Sequence, residues 1–513
     1  MDLFHFTIKL LIFANIILTL TLNIIIMKKI SLLLLSFCST IIFAQFTSPG
    51  TGISYNLASL SAAAPTVVLN NGTDYQMTAN VTISPGDTLV MNENTTLKIN
   101  GGIQLTVGGV YDTTATNFVI TATDPAVIFK GIRFEETAEA TFKNTILEYG
   151  GGIQVLTATF LMDNCTVRNF KSGLVTGASV NFSRGNPVVK NSTFMNNDLP
   201  AVASGANQSV ALEFSNNMLS GNTKANSNRP QINMGPSGPG ITKILNNTII
   251  GDRTLTKVGG ISVSSLLGVE NHVLIDGNTV TDNRYGITCA GNASNGTISN
   301  NILTNNNSEN NPATGGSGIS LSGSGAVGLG FKIEGNQIRG HIWGITLITT
   351  ASADLGGGSL GSIGGNIFKD NGNGGQLYAL FNNTPNAVSA TNNCWREGEL
   401  SDDAMVENVI SHQVDDAALG LVNFKPYLCA NPLATNTADL SKNNVYPNPS
   451  NGTFNIIAEN AGTISISDAS GKLIYSGKVI KGNNTVSVKA KSGVYFLVQK
   501  SEGKKSTSKL MIK

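Results

Sequence analysis

The sequence predicts an all-β protein in which a long parallel β-solenoid is followed by a small β-sandwich. Ten short segments between residues 144 and 395 align on one apolar residue, and no stretch between them has helical periodicity. The last 70 residues alternate like the strands of a separate domain. Of the 513 residues, 13% are charged, 6% are aromatic and 56 are glycine, which is typical of stacked β-structure with many tight turns.

The solenoid repeat is defined by a turn position that lies three residues before the aligned apolar residue. With Val280 as the reference, all ten residues at this position are Asn or Gly. These residue types tolerate positive φ best, so we expect a tight turn at each of them. The turn residues are Asn144, Asn164, Asn191, Asn216, Asn246, Gly277, Asn300, Gly335, Gly365 and Asn392.

The position after the turn is expected to form a ladder of side chains inside the solenoid. It lies two residues before the apolar position, and residues two apart on a strand share a face. Stacked interior amides can hydrogen-bond to one another along the repeat. The residues of this column are Thr145, Cys165, Ser192, Asn217, Asn247, Asn278, Asn301, Asn336, Asn366 and Asn393.

A second turn is predicted three residues after the apolar position, and the coils vary in length. Successive apolar anchors are 20 to 35 residues apart, which suits a solenoid whose insertions bulge out as loops. A leucine-rich repeat or a propeller would need other columns or longer periods. The second-turn residues are Asn197, Asn222, Asp252, Asn283, Asn306 and Asn371.

These coils resemble the right-handed parallel β-helix repeat family of the pectin-lyase type. The resemblance covers residues 65–428 and implies the fold of that segment. It leaves the activity open, because the family includes lyases, hydrolases, epimerases and non-catalytic surface proteins.

The N-terminal region reads as an export signal followed by a leader. Residues 27–44 have a basic start, an apolar run and a small residue at the end, as in a secretory signal peptide. Residues 1–26 are interpreted as an upstream mis-start, with an extra hydrophobic segment as the alternative. Residues 45–64 are predicted to be a polar leader, and strands from Tyr75 to Tyr111 are expected to cover the open end of the solenoid.

A polar linker, residues 429–443, separates the solenoid from the predicted sandwich, residues 444–513. This last domain has ten lysines against three acidic residues, a net charge of +7. Its opening segment, its fifth strand and its last five residues closely resemble the type A sorting domain of the type IX secretion system. The motif residues are Tyr446, Pro447, Asn448, Pro449, Gly493, Tyr495 and Lys509.

The sorting resemblance implies a partner and a location. The partner is the type IX secretion machinery, and the protein is expected to be secreted or held at the outer-membrane surface of a Gram-negative bacterium. Residues 45–443 carry a net charge of −8, which argues against nucleic acid as a partner. We expect a monomer.

Candidate site residues cluster around two equivalent turns of the repeat. Arg284, Tyr285, Arg339 and His341 are the candidates for catalysis, and Trp343 and Tyr285 are the candidates for binding a sugar. A sugar ring can stack on an aromatic side chain while Arg holds an acidic group. The alternative is a solvated turn without chemistry.

Two further sites are suggested near the end of the solenoid. Asp402, Asp403, Asp415 and Asp416 belong to an acidic cluster that has the ligand type for Ca²⁺, although its spacing matches no known loop and a plain acidic loop is the alternative. No other cofactor is indicated. Cys394 and Cys429 are candidates for a disulfide, since the chain is predicted to be exported.

Two functions remain open from the sequence. The first is a secreted or surface β-helix protein acting in binding, adhesion or matrix structure. The second is a carbohydrate-active enzyme, a polysaccharide lyase before a glycoside hydrolase, working in an exterior groove. An enzyme should show clustered charged and aromatic groups in that groove, whereas a structural or binding protein should show Asn, Ser and Thr. The sparse charge of the sequence favours the first.

Overall fold

The structure is a computed structural model that describes residues 7, 9, 11, 13–24, 27, 45–324, 328–428, 445–458, 460–468, 472–501 and 504–513. The predicted signal peptide lies outside these residues except for Met27. Among the described residues, no helix is long and apolar enough to cross a membrane. The chain divides into two compact units, Met1–Cys429 and Ala430–Lys513.

Three long sheets form the first unit, and each coil visits them in the order A, B, C. Sheets A and B are parallel throughout, and sheet C is parallel except for its first pair, which forms a hairpin. Within the described residues, sheets A and B have 14 strands each and sheet C has 13.

The strands of each sheet follow the chain in steps of one coil. The strands of sheet A are Phe46–Thr47, Val81–Ile83, Gln104–Val107, Gly131–Phe134, Ile153–Val155, Val180–Phe182, Val202–Ser204, Ile232–Met234, Ile261–Ser265, Ile287–Gly291, Ser317–Gly323, Trp343–Ile348, Leu380–Asn383 and Ile410–Ser411. The strands of sheet B are Ser54–Tyr55, Thr88–Met91, Val110–Thr113, Glu139–Lys143, Thr159–Asp163, Val188–Lys190, Glu213–Ser215, Ile241–Leu245, Asn271–Asp276, Ser294–Ser299, Leu329–Glu334, Ala351–Gly356, Val388–Ala390 and Val422–Asn423. The strands of sheet C are Val68–Asn70, Tyr75–Met77, Thr96–Ile99, Phe118–Ala122, Thr145–Glu148, Thr166–Arg168, Thr193–Met195, Met218–Ser220, Thr248–Ile250, Thr279–Thr281, Ile302–Thr304, Gln337–Arg339 and Ile367–Lys369.

The turn column predicted from the repeat is confirmed at all ten positions. Each of these residues has a positive φ, from 50° at Asn144 to 78° at Gly365. Each of the first nine turns joins a strand of sheet B to the next strand of sheet C, and Asn392 leads to a single bridge between Cys394 and Ile367, so the following apolar residue points into the core. Val280, for example, pairs with Ile249 and Leu303 in the neighbouring coils, and all three are fully buried.

The interior amide ladder is confirmed from Asn217 to Asn393. Each Asn side chain donates from Nδ2 to the Oδ1 of the Asn in the next coil, at 2.9 Å from Asn278 to Asn301. The same Oδ1 of Asn301 also accepts the backbone N–H of Asn278, at 2.9 Å. Every amide is thus held by two coils, and the ladder keeps successive coils in register at the turns from sheet B to sheet C.

The second predicted turn is displaced by one residue, because its Asn column is a second interior ladder. The positive φ lies one position earlier, at Asn196, Asp282 and Asn305. Asn197 donates to Asn222 at 2.7 Å, and Asn283 donates to Asn306 at 3.2 Å. Asp252 does not take part and is exposed. Gln231 fills its place, with hydrogen bonds from Asn222 at 3.1 Å and to Asn283 at 3.0 Å.

The open N-terminal end is covered by the segment that was predicted to be a leader. The prediction of an irregular leader was wrong, because these residues form regular structure. Residues 46–55 supply the first strands of sheets A and B, and a helix follows at Leu57–Ala63. Asn56 caps the helix by accepting the backbone N–H of Ser59 at 2.8 Å. Leu57 and Leu60 pack on the core end, so the helix shields the sheet edges.

The buried Asp87 carboxylate anchors this N-terminal segment. It accepts the backbone N–H groups of Gly50, Gly52 and Ile53 at 2.7 to 2.9 Å. These donors, with the hydroxyl of Ser48 as the largest contribution, lower the pKa of Asp87 to about 2. Replacing Asp87 with Asn is expected to loosen residues 46–55.

Hydrogen exchange of the amides in residues 46–55 measures this effect. Because the pKa of Asp87 is lower in the folded state, its contribution to the stability of the folded segment is fully present above pH 4 and is lost as the pH falls through about 2. Exchange should therefore be faster in Asp87→Asn at neutral pH, and the two proteins should converge at pH 2. Equal protection at pH 7 would contradict the anchoring role.

The C-terminal end is closed by Trp395 and a short helix. The indole stacks on Phe368 with ring centroids 5.0 Å apart and is fully buried. The helix Asp403–Glu407 follows, and a two-stranded ribbon, Gly372–Asn373 with Gln376–Leu377, lies at the previous coil.

The second unit is the predicted β-sandwich. A three-stranded sheet, Val445–Tyr446, Thr453–Ala458 and Gly482–Ser487, and a four-stranded sheet enclose a separate core that includes Phe454, Ile466 and Leu497. The four-stranded sheet contains, in spatial order, Leu473–Val479, Gly462–Asp468, Gly493–Ser501 and Lys504–Ile512.

Candidate functional site

The outer face of sheet A is nearly free of charge. One outward column runs through twelve coils, and only its Arg133 is charged; the Arg133 side chain is already bound to Glu135 at 2.5 Å. From residue 181 onward the column is made of amides, small residues and hydroxyls until it reaches a phenylalanine. In order, the column is Thr106, Arg133, Gln154, Asn181, Ala203, Asn233, Ser262, Thr288, Ser320, Thr346, Phe381 and Ser411.

Three aromatic rings gather at the C-terminal end of this column. The Trp343 indole stacks on Phe381 with centroids 5.0 Å apart and planes at 21°, and it contacts Tyr378 at 4.6 Å. All three rings are half-buried, so each keeps an accessible edge or face. We call Trp343, Tyr378 and Phe381 the aromatic cluster. Beside it, the buried hydroxyls of Ser317 and Thr346 lie 2.9 Å apart.

A loop, residues 305–316, forms a wall along the aromatic cluster. The indole Nε1 of Trp343 donates to the carbonyl of Pro312 at 3.0 Å, which fixes the ring orientation. Arg284 holds the same loop through Glu309 and the carbonyl of Thr314, both at 2.5 Å. The Arg284 guanidinium also donates to Asn228 in the loop of an earlier coil, so Arg284 links the loop 305–316 to that earlier loop.

Of the predicted site residues, Arg284 and Tyr285 lie near the aromatic cluster, but their side chains are already bound or packed within the protein. Arg284 is neutralised by Glu309, and the side chains are only 11% and 22% exposed. The Tyr285 ring packs over Gly259, where an added Cβ would lie 2.1 Å from the ring. Burial raises the pKa of Tyr285 to about 12, so at neutral pH it is a protonated phenol. Neither residue is poised as a base.

The prediction that His341 lies on the exterior was wrong. His341 is 1% exposed and forms a rung of the second ladder, between Asn306 at 3.2 Å and Asn371 at 3.0 Å. Burial lowers the pKa of His341 to about 4. Arg339 lies on sheet C and forms a two-pronged ion pair with Glu397, at 2.6 and 2.8 Å. The geometry thus separates both residues from the aromatic cluster.

The acidic residues proposed for Ca²⁺ have separate local roles. Asp402 caps the short helix by accepting the Met405 N–H at 2.9 Å, and Asp403 pairs with Lys425 at 2.5 Å. Asp415 accepts the His412 N–H at 3.0 Å, and Asp416 accepts the Ala418 N–H at 2.9 Å. No group of three or more metal-ligating side chains occurs among the described residues.

Of the described cysteines, Cys165 lies in the interior, as its place in the ladder column predicts. Cys165 and Cys289 are buried in the interior, and burial raises the pKa of each thiol to about 12. Cys394 is also buried. The proposed bridge from Cys394 to Cys429 cannot be placed, since Cys429 lies outside the described residues.

Tyr378 and Phe381 were missed by sequence reasoning. They belong to the coil between Asn371 and Asn392, whose strand in sheet A begins only at Leu380 and follows a two-stranded ribbon. In other coils a glycine followed by an aliphatic residue, such as Gly344-Ile345, marks the strand in sheet A, and in this coil Ala379-Leu380 stands in its place. The signal that the sequence did offer is the pair of aromatic residues itself, Tyr378 and Phe381, three positions apart in the coil after that of Trp343.

Comparison with known families agrees with the folds of the two units. Residues 130–338 match the family described as right handed beta helix region, and residues 444–513 match the secretion system C-terminal sorting domain. The chain contains a right-handed β-helix and a secretion sorting domain. No curated protein and no solved structure is matched by the chain. The sorting domain implies export by the type IX machinery, to the cell surface or into the medium.

The residues predicted to form the sorting motif, which are far apart in sequence, meet in the sorting domain. Asn448 donates from Nδ2 to the carbonyl of Lys509 at 2.7 Å and accepts the Met511 N–H at 2.8 Å. Gly493 pairs with Ile512, and the Tyr495 hydroxyl donates to the carbonyl of Lys491 at 2.7 Å. The opening segment is therefore hydrogen-bonded to the last strand. The peptide bonds before Pro447 and Pro449 in this segment are cis, and the neighbouring Tyr446 is exposed.

Proposed function

We propose that the protein is an exported glycan-binding protein whose β-helix holds an uncharged polysaccharide on the outer face of sheet A. The observation that carries the proposal is the aromatic cluster at the end of a hydroxyl- and amide-rich column. A sugar presents an apolar C–H face and a rim of hydroxyls, and the cluster with its neighbours presents the complementary surfaces. Trp343 is the central binding residue, with Phe381 and Tyr378 beside it.

The repeat supplies a row of contacts for a long ligand. Neighbouring strands of a sheet are about 4.8 Å apart. An extended β-linked glycan advances by a similar distance per sugar, so successive sugars can meet the half-buried Ser320 and Thr288 in successive coils. Small hydroxyl side chains lose little conformational entropy when they bind, which suits a rigid sheet face.

The charge distribution favours an uncharged ligand over an acidic one. Arg284, which holds the loop 305–316 beside the cluster, is already bound to Glu309, and Arg339 is bound to Glu397. Freeing either Arg for a uronate would leave a carboxylate of the protein without its partner. Affinity should therefore depend little on salt, in contrast to a site that recognises charged sugars.

Affinity electrophoresis against neutral and uronic-acid polysaccharides tests the proposal. Trp343→Ala is expected to weaken binding of the neutral polymer by about 10- to 100-fold, since one stacked aromatic is worth roughly 1–3 kcal/mol. Phe381→Ala should show a smaller loss. Tyr149→Ala is the matched control, because Tyr149 is a partly buried aromatic on the β-helix that lies outside the aromatic cluster. Equal binding by wild type and Trp343→Ala would contradict the proposal.

The same samples address the enzymatic alternative. A lyase would release unsaturated products and a hydrolase would release reducing ends, each measurable after long incubation with and without Ca²⁺. We expect binding without product. If products form with the wild type and not with Trp343→Ala, the aromatic cluster is still the site, but the protein is an enzyme and not only a binding protein.

A further inference from the structure

The four-stranded sheet of the sorting domain has an uncovered outer face that is apolar at one end and basic at the other. Its inner face packs on the domain core through Ile466, Leu497 and Leu510. Strand alternation then places the neighbouring residues outside. At the apolar end, Leu473, Val494, Phe496 and Met511 are 59%, 39%, 42% and 38% exposed.

Register brings these apolar side chains together. Val494 pairs with Met511, Phe496 pairs with Ser467, and Ser467 in turn pairs with Leu473. Val494, Phe496 and Met511 therefore form one apolar area, with Leu473 beyond Ser467 and the exposed Lys509 opposite Phe496 at its edge. An area of this kind on a small soluble domain marks an interaction surface.

The other end of the same face is basic. Thr463 pairs with both Lys478 and Lys500, so the two exposed lysines flank it across three strands. Ser465, Ser476 and Val498 separate this end from the apolar end. The outer face of the three-stranded sheet differs in charge: it carries the exposed Tyr446 and Ile457 among Asn455, Thr485 and Ser487, and its three described strands contain no lysine.

We propose that this apolar and basic face docks onto a protein receptor of the secretion machinery that presents an apolar groove edged by carboxylates. The domain belongs to a family that sorts proteins for export, so a receptor must read its folded surface. Among the two sheet faces, this is the one that offers both burial and charge complementarity. The inference is independent of glycan binding by the β-helix.

Export of full-length variants from cells that carry the machinery tests the proposal. Phe496→Ser combined with Met511→Ser is expected to leave most of the chain in the periplasm in a cell-fractionation blot, whereas the wild type reaches the surface or the medium. Lys478→Glu combined with Lys500→Glu should also be retained. Ile457→Ser and Ile480→Ser are the controls, because both residues are at least as exposed as Phe496 but lie off this face.

Folding is checked on the retained chains by calorimetry and protease resistance of the sorting domain. The lysine variants change exposed residues away from the core, so they keep the test decisive if the double serine variant unfolds. Normal export of folded lysine variants and of folded Phe496→Ser would overturn the proposal. So would equal retention of Ile457→Ser. Binding of the wild type to anionic vesicles that is lost in the lysine variants, with export unchanged, would assign the face to lipid instead.

Discussion

Replacing Asn278 with Leu is expected to lower the free energy of unfolding of the β-helix by about 3 kcal/mol. The Asn278 side chain accepts the backbone N–H and the Nδ2 of Asn247, both at 2.9 Å. It also donates to the carbonyl of Ile244 at 2.8 Å and to Asn301 at 2.9 Å. Leucine fits the volume but makes none of these bonds, and each buried polar group left unpaired costs roughly 1–3 kcal/mol.

Thermal unfolding of the purified chain measures the effect, with Thr279→Leu as the control. Thr279 is the next residue on the same strand, points outward and is half-exposed. The Asn278 variant should melt well below the wild type, while the Thr279 variant should melt near it. Equal melting temperatures for Asn278→Leu and the wild type would contradict the ladder as a source of stability.

The second large effect is a loss of stability between pH 6.5 and pH 4 that is caused by His341. In the folded chain, Nδ1 of His341 donates to Asn371 and Nε2 accepts from Asn306, so the ring is neutral. Its pKa is lowered from 6.5 to about 4 by burial. Between these values the unfolded chain binds the proton and the folded chain does not. Stability is therefore full above pH 6.5 and falls by about 3 kcal/mol on the way to pH 4.

His341→Asn is the matched variant, since Asn is the residue that fills this ladder elsewhere. The variant should lose the part of the pH dependence that His341 causes. Between pH 7 and pH 4 the unfolding midpoint of the wild type should therefore fall further than that of the variant. Other groups titrate equally in both proteins and cancel in the comparison. A difference that stays constant over this range would show that His341 does not carry the proton.

The coils were predictable because each one must satisfy the same local geometry. Asn144 and Gly277 occupy a turn that needs positive φ, and Asn278 occupies a buried position whose amide must find a partner in the next coil. Such constraints repeat in every coil and therefore appear as columns. The N-terminal helix at Leu57–Ala63 has no such repeat, because it meets the solenoid end only once.

The candidate site was only partly predictable, because it depends on contacts between coils of unequal length. Trp343 was recognised as an exposed aromatic beside a turn, but its partner Phe381 is 38 residues away and follows an insertion. The pairing of Arg284 with Glu309 depends on how the loop 305–316 folds back. His341 was misplaced since the second Asn column was taken for a turn, whereas it is an interior ladder.

Tryptophan fluorescence offers the most direct test of the central claim that the aromatic cluster binds an uncharged glycan. The chain has two tryptophans, so Trp395→Phe leaves Trp343 as the sole indole while keeping an aromatic ring on Phe368. Titration with a neutral β-linked oligosaccharide that the wild type binds should shift or quench the emission with saturation, and a uronic-acid oligosaccharide should not. An emission spectrum that stays constant while binding persists would place the glycan elsewhere and contradict the account.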